Sequence, residues 1–197
     1  MNSLIDKIAA KEEEILTGLN EESIAVYSFL KNEYRKGDIL NNHVFQFAFR
    51  SYYRLDNAGL SPIQKKRYFE MLSEKIEDLS FILSELYELP TLKNRKSIQF
   101  SFATKLLNML DDNKPIFDSY ISNLTKLKVK GSTKSEKIVS CVKIYESLTN
   151  LYLQLKLENE MRTLIAKFRN RFIRYNENIS DTRALDFIIW SLGKAEA

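Results

Sequence analysis

The sequence predicts an all-α fold, a single domain of roughly eight or nine helices. Three observations carry that expectation. Only five glycines and three prolines punctuate 197 residues, so breaks in the chain are few and readable. Apolar residues recur at helical spacing through most of the intervals between them. The one alternating segment, Phe45, Phe47 and Phe49, has no partner segment to pair with, and a lone strand does not persist. No internal repeat or linker divides the chain. The expected organisation is one helical domain over 1–197, with an N-terminal helical pair at 1–36 and a main core at 41–193.

Leu4, Ile5, Ile8, Ile15 and Leu16 predict a first helix over 3–17, ended by Gly18. Ile24, Tyr27, Leu30 and Tyr34 stripe a second over 21–35, which Gly37-Asp38 breaks. Residues 41–54 are dense in aromatics. Val44, Phe45, Phe47, Ala48 and Phe49 surround that helix on most sides, so it is expected to be buried all round. After a turn at 55–60, Ser61 as N-cap and Pro62 at the first helical position open a helix that runs towards Pro90 with an internal break. Residues 98–110 give the next helix, and Pro115 opens another over about 115–127. Gly131 breaks the chain again, and 134–175 reads as two helices or one kinked one. Ser180, with Asp181 in the first turn, starts the last helix, which Gly193 closes.

Composition excludes several classes of function. Hydrophobic residues make up 44% and charged residues 28%, an ordinary globular balance that needs no staples to bury a core. Cys141 is the sole cysteine, so no internal disulfide forms. With His43 the sole histidine, a Cys/His zinc site within one chain is ruled out. A Ser-His-Asp triad would have to be built on His43, and no nucleophile elbow lies near it. No metal and no cofactor are expected. Charges interrupt the apolar residues of Met1–Lys7, unlike a signal peptide, and no apolar run reaches membrane-spanning length. A cytoplasmic location away from membranes is the expectation.

Residues 101–121 read SFATKLLNMLDDNKPIFDSYI. A helix with small Ala103 and apolar Leu106, Leu107 and Leu110 leads through a polar loop to Pro115, Ile116, Phe117 and Asp118. This stretch resembles the core of the helix-hairpin-helix DNA glycosylase superfamily, in which a hairpin and its second helix precede an apolar-Asp-polar-x-apolar segment. Ile116 to Ile121 matches that segment. Ser180 to Trp190, followed by Gly193-Lys194, resembles the closing helix of divergent relatives. The resemblance implies a glycosylase-like central part, DNA as partner, a role in DNA repair, and Asp118 as the catalytic carboxylate. The chemistry suits an anion, because glycosidic cleavage develops oxocarbenium character at the sugar. Two departures narrow the expectation. The family's hairpin is Gly-rich and holds a phosphate on its backbone amides, whereas 97–102 here has no glycine. Bifunctional members place an amine nucleophile directly after the hairpin, and Lys105 lies a few positions later. The resemblance therefore implies monofunctional base release, with Lys105 as a phosphate contact.

The charge pattern adds a second set of candidates. The net charge is +4, and it is unevenly placed. Residues 12–22 hold five glutamates. Lysines cluster over 126–137. Arg162, Lys167, Arg169, Arg171 and Arg174 follow one another with no acid between, at spacing that serves either a solvated helix face or a nucleic-acid surface. Tyr52, Tyr53, Arg183, Asp186 and Trp190 are candidates to line a cleft, with Arg183 and Asp186 three apart on one helix. Two functions stand at this point. One is a DNA-associated, glycosylase-like protein, with or without catalytic activity. The alternative is a non-enzymatic helical module that binds a protein partner or a second copy of itself.

Overall fold

A computed structural model describes residues 2–196, with side chains from Leu4 onward. Met1 and Ala197, the ends of the expected domain, lie outside the described residues, as do the side chains of Asn2 and Ser3. Among the described residues the chain is helical without a strand: eleven α-helices and one 3₁₀ helix. In chain order they are α1 (Asn2–Ala10), α2 (Glu12–Gly18), α3 (Glu21–Lys36), α4 (His43–Tyr53), α5 (Pro62–Ser73), α6 (Leu79–Glu88), α7 (Phe100–Leu110), α8 (Ser119–Thr125), α9 (Lys134–Leu155), α10 (Asn159–Arg171) and α11 (Asp181–Ala195). The 3₁₀ helix, Ile173–Asn178, joins α10 to α11.

Local chemistry explains most of the boundaries. Short polar side chains cap seven helix starts, at Asn20, Asn42, Ser61, Asp78, Asp118, Thr133 and Ser180. Ser61 with Gln64 and Thr133 with Glu136 close reciprocal capping boxes. Gly37 ends α3 at a φ of 80°, which a side-chain-bearing residue rarely adopts.

One contiguous cluster of buried apolar side chains runs from Leu4 to Leu192. Its axis is α11, in which every residue from Thr182 to Ile189 is buried. That helix packs against α2, α8 and α10. Around it, α3 packs on α4, and α6 lies between α5, α7 and α9.

The structure corrects the sequence in five places. There are more helices than eight or nine, because the expected breaks separate more pieces. Residues 1–36 hold three helices, not a pair, since the chain kinks at Lys11 between α1 and α2. The α4 helix is not buried all round. Phe45, Phe49 and Tyr53, one helical stripe, face the core, while Val44 and Phe47 are 66% and 65% exposed. No helix spans 115–127, and α8 starts only at Ser119. The preceding segment is drawn out because its backbone bonds to side chains of α7 and α11. Gly193 does not stop α11, which runs on to Ala195. Its missing side chain admits α8 instead, since a Cβ there would meet the Tyr120 Cβ at 2.6 Å.

Candidate functional site

Asp118 is placed by three anchors on the segment before it. Asn108 of α7 donates through Nδ2 to the Lys114 carbonyl at 2.7 Å. The Ile116 amide donates to Asp186 Oδ1 of α11 at 3.2 Å. The Phe117 amide donates to the Thr104 hydroxyl of α7 at 3.0 Å. Backbone groups that would otherwise be buried without partners are thereby satisfied, and residues 114–117 are pinned between two helices. Asp118 follows as the N-cap of α8, accepting the Ile121 amide at 2.9 Å. Phe100 and Phe117, with ring centroids 4.5 Å apart, back the segment on its apolar side.

Lys105, one residue beyond Thr104 on α7, is held at the same place. Its ammonium donates to the Tyr53 carbonyl at 3.4 Å and lies 4.8 Å from the Phe102 ring centroid and 5.7 Å from that of Tyr53. Burial pushes the amine down to about 8. The Asp118 charge works against that fall, and the Arg183 and Arg54 charges add to it. Burial pushes the Asp118 carboxyl up, opposed by the Ile121 amide and then by Lys105. Both groups are half-buried. The site therefore holds a carboxylate and an amine, not in direct contact, whose ordinary pKa values burial has drawn towards each other, a feature suited to proton transfer.

Behind them lies a buried polar network. Arg183 is 5% exposed. Its guanidinium carbon sits 4.3 Å from the Tyr27 ring centroid and 4.2 Å from that of Phe187, between the two rings. It donates to the Tyr52 hydroxyl at 3.1 Å and to Asp186 Oδ2 at 3.4 Å, while its Nε finds no partner. Asp186, also 5% exposed, accepts the Tyr152 hydroxyl at 2.8 Å. Burial raises its carboxyl to about 6, against the lowering influence of Arg183, Tyr152 and the Ile116 amide. The Tyr53 hydroxyl is buried without a partner, and burial raises it above the usual tyrosine range.

Asp118, Lys105, Tyr52, Tyr53, Arg183 and Asp186 are thus brought to one neighbourhood, reached from α4, α7, α8 and α11. Trp190 lies further along α11, half-buried, edge-on to Tyr120 with centroids 5.9 Å apart. The arginine run, on α10 and the 3₁₀ helix, is largely engaged within the chain. Lys167 pairs with Glu12. Arg169 binds Asp181 and the Ile179 carbonyl, and Arg171 the Leu16 carbonyl. Arg162 meets Asn159. Only Arg174, on the 3₁₀ helix, keeps an exposed charge without such a partner among the described residues.

Sequence reasoning missed Thr104, Asn108, Tyr27 and Tyr152. The first two left a readable signal: polar residues four apart on the apolar face of a helix, between Phe100, Ala103 and Leu107. Tyr27 and Tyr152 left none, since aromatics at those positions read as core. Among the described residues no group of three or more His, Cys, Asp or Glu is placed to hold a metal, and no helix is long and apolar enough to cross a membrane. Compared with protein-family models, curated proteins and solved structures, the chain matches none.

The pairing of Lys105 with Asp118 has a direct readout. The rate of Lys105 acetylation against pH is expected to show a midpoint of about 8, below that of exposed lysines. Asp118→Asn removes an interaction that raises the amine, so the midpoint should move lower. The folded chain holds this proton less tightly than the unfolded chain. The Lys105 contribution to stability therefore rises with pH between about 8 and the ordinary lysine range. An unchanged midpoint in the asparagine variant would show that the two charges do not sense each other.

Proposed function

We propose that this chain is a single-domain, DNA-associated protein of glycosylase-like design, with Asp118 as the carboxylate that stabilises a sugar cation or orients water. One observation supports this reading most. A carboxylate at the start of a short helix, on a segment pinned to two others, is half-buried within electrostatic reach of a lysine of lowered pKa. A preorganised anion in a partly dry setting is what cleavage of a glycosidic bond requires. Lys105 here contributes positive charge near the site, and Arg183 and Asp186 hold the frame.

The test is base release from duplexes carrying a panel of damaged bases. The wild-type protein is expected to release at least one of them. Asp118→Asn should cut that rate by about 100-fold or more while leaving DNA affinity largely intact. Release from no duplex in the panel would remove the enzymatic reading.

A second reading, a non-enzymatic interaction module, draws on a different observation. Val44 and Phe47 stand two-thirds exposed on the outer face of α4, with Leu40 nearby at 43%. If no base is released and the chain forms a concentration-dependent dimer that Phe47→Glu abolishes, this second reading replaces the first.

A further inference from the structure

The connection from α8 to α9 forms one wall of a groove of about 560 Å³ whose other wall is the first half of α9. Lys126, Lys128, Lys130 and Lys143 line it, over a floor that includes Leu127, Val139 and Ile144. All four lysines are exposed, and none joins an ion pair among the described residues. The single carboxylate in the lining, Glu136, faces the chain itself, accepting the Ser132 and Thr133 amides at 2.7 and 3.0 Å. Four cations thus stand together with little to neutralise them, at some cost in mutual repulsion. The contrast with the arginine run is physical. There Lys167, Arg169 and Arg171 are engaged by Glu12, Asp181 and backbone carbonyls, while here all four lysines are free of ion pairs among the described residues.

The connection is irregular, and Lys126, Lys128 and Lys130 alternate with Leu127 and Val129 along it. The cations form a row rather than a point, which fits a run of phosphates better than one small anion. No aromatic side chain lines the groove, so it has no platform on which an unpaired base would stack. The groove also begins where α8 ends, and Asp118 caps the start of that same helix. Seven helical residues separate the two, about 10 Å of rise.

We infer that this lysine groove takes the phosphate backbone of a DNA duplex and seats it beside Asp118. The inference rests on the DNA-associated reading above. It fits the balance of forces at such surfaces, where lysine–phosphate contacts release counterions and position the duplex without reading its sequence.

The experiment is fluorescence anisotropy with a labelled, undamaged duplex across a range of salt, alongside base release. Lys128→Gln/Lys130→Gln removes two exposed charges, so the double variant should melt like the wild type. Two lost phosphate contacts should lower affinity by about tenfold or more near physiological salt and reduce the salt slope by about 2. Lys66→Gln, an exposed lysine on α5, should change neither. If the wild type binds duplex and the double variant binds it equally with the same slope, the groove assignment is overturned while the DNA reading survives. If the double variant loses affinity but the wild type releases no base, the groove stands and the enzymatic reading falls. If the wild type ignores duplex DNA and its lysines instead retain polyglutamate or anionic vesicles, the assignment is overturned together with the reading beneath it.

Discussion

Arg183→Leu is expected to destabilise the protein by about 3–5 kcal/mol, the size of effect seen when one partner of a buried charge pair is removed. The leucine fills part of the space between Tyr27 and Phe187, so the loss is mainly electrostatic. Asp186 is left 5% exposed with no cation, and the Tyr52 hydroxyl loses its donor. The cost should depend on pH in a defined direction. In the wild type the Asp186 carboxyl is raised to about 6 by burial, against an ordinary value of about 3.9. The folded state thus holds that proton more tightly than the unfolded chain. The stability it contributes is present at low pH and lost as pH climbs through about 6. Arg183 lowers this carboxyl, so removing it moves the midpoint higher and extends the decline above pH 6. Urea denaturation should therefore find a smaller deficit at pH 5 than at pH 8. An equal deficit at both would show that Asp186 does not titrate against Arg183.

The parts of the fold that were legible are those governed by local rules. Gly18, Gly37, Ser61-Pro62 and Ser180 mark helix ends because capping and backbone freedom act over a few residues. What was not legible depends on which element covers which. The aromatic density of 44–53 gives no sign of how many neighbours α4 has, and one packed face leaves Val44 and Phe47 in solvent. Gly193 resembles a helix stop by every local criterion, and only the approach of Tyr120 from α8 gives it a different purpose. Pro115 suggests a helix start. Three hydrogen bonds from side chains of α7 and α11 to residues 114–117 favour an extended segment, and although Thr104 and Asn108 stand out on the apolar face of α7, nothing in the sequence says which backbone groups they meet.

The candidate site divides along the same line. The chemistry-bearing residues Asp118, Lys105, Tyr52, Tyr53, Arg183 and Asp186 were nameable because charge and aromaticity are visible in a string of letters. Whether a charge is free is not visible. The uninterrupted run from Arg162 to Arg174 promises a polyanion surface by spacing, yet Glu12 of the distant N-terminal segment pairs with Lys167 and Asp181 at the start of α11 pairs with Arg169. Lys126, Lys128, Lys130 and Lys143 meet no such opposition among the described residues. Sequence gives the positive charge of both stretches, and tertiary structure decides which remains available to a partner.

Asn108→Leu tests the link between that tertiary structure and the site. The substitution keeps the volume close and opens little cavity, but it removes two hydrogen bonds from a side chain with no solvent exposure. The Tyr27 hydroxyl, which donates to Asn108 Oδ1 at 3.3 Å, and the Lys114 carbonyl are then buried without those partners. At about 1–3 kcal/mol for each of the two groups left unsatisfied, a loss of about 2–6 kcal/mol is expected in thermal or urea melts. The second readout is local. Asn108 is the first of three anchors on the segment that delivers Asp118, and the Asp118 charge is what resists the fall of the Lys105 amine. A loosened segment weakens that resistance, so the Lys105 midpoint should drop below about 8 in the folded variant. Ser122→Ala, on α8, removes a hydroxyl that donates to the Leu127 carbonyl at 2.8 Å and lies outside these anchors. It should leave the midpoint where it is. If Asn108→Leu lowers stability and the midpoint stays at about 8, the anchors serve the core alone and Asp118 owes its position to the α8 cap instead.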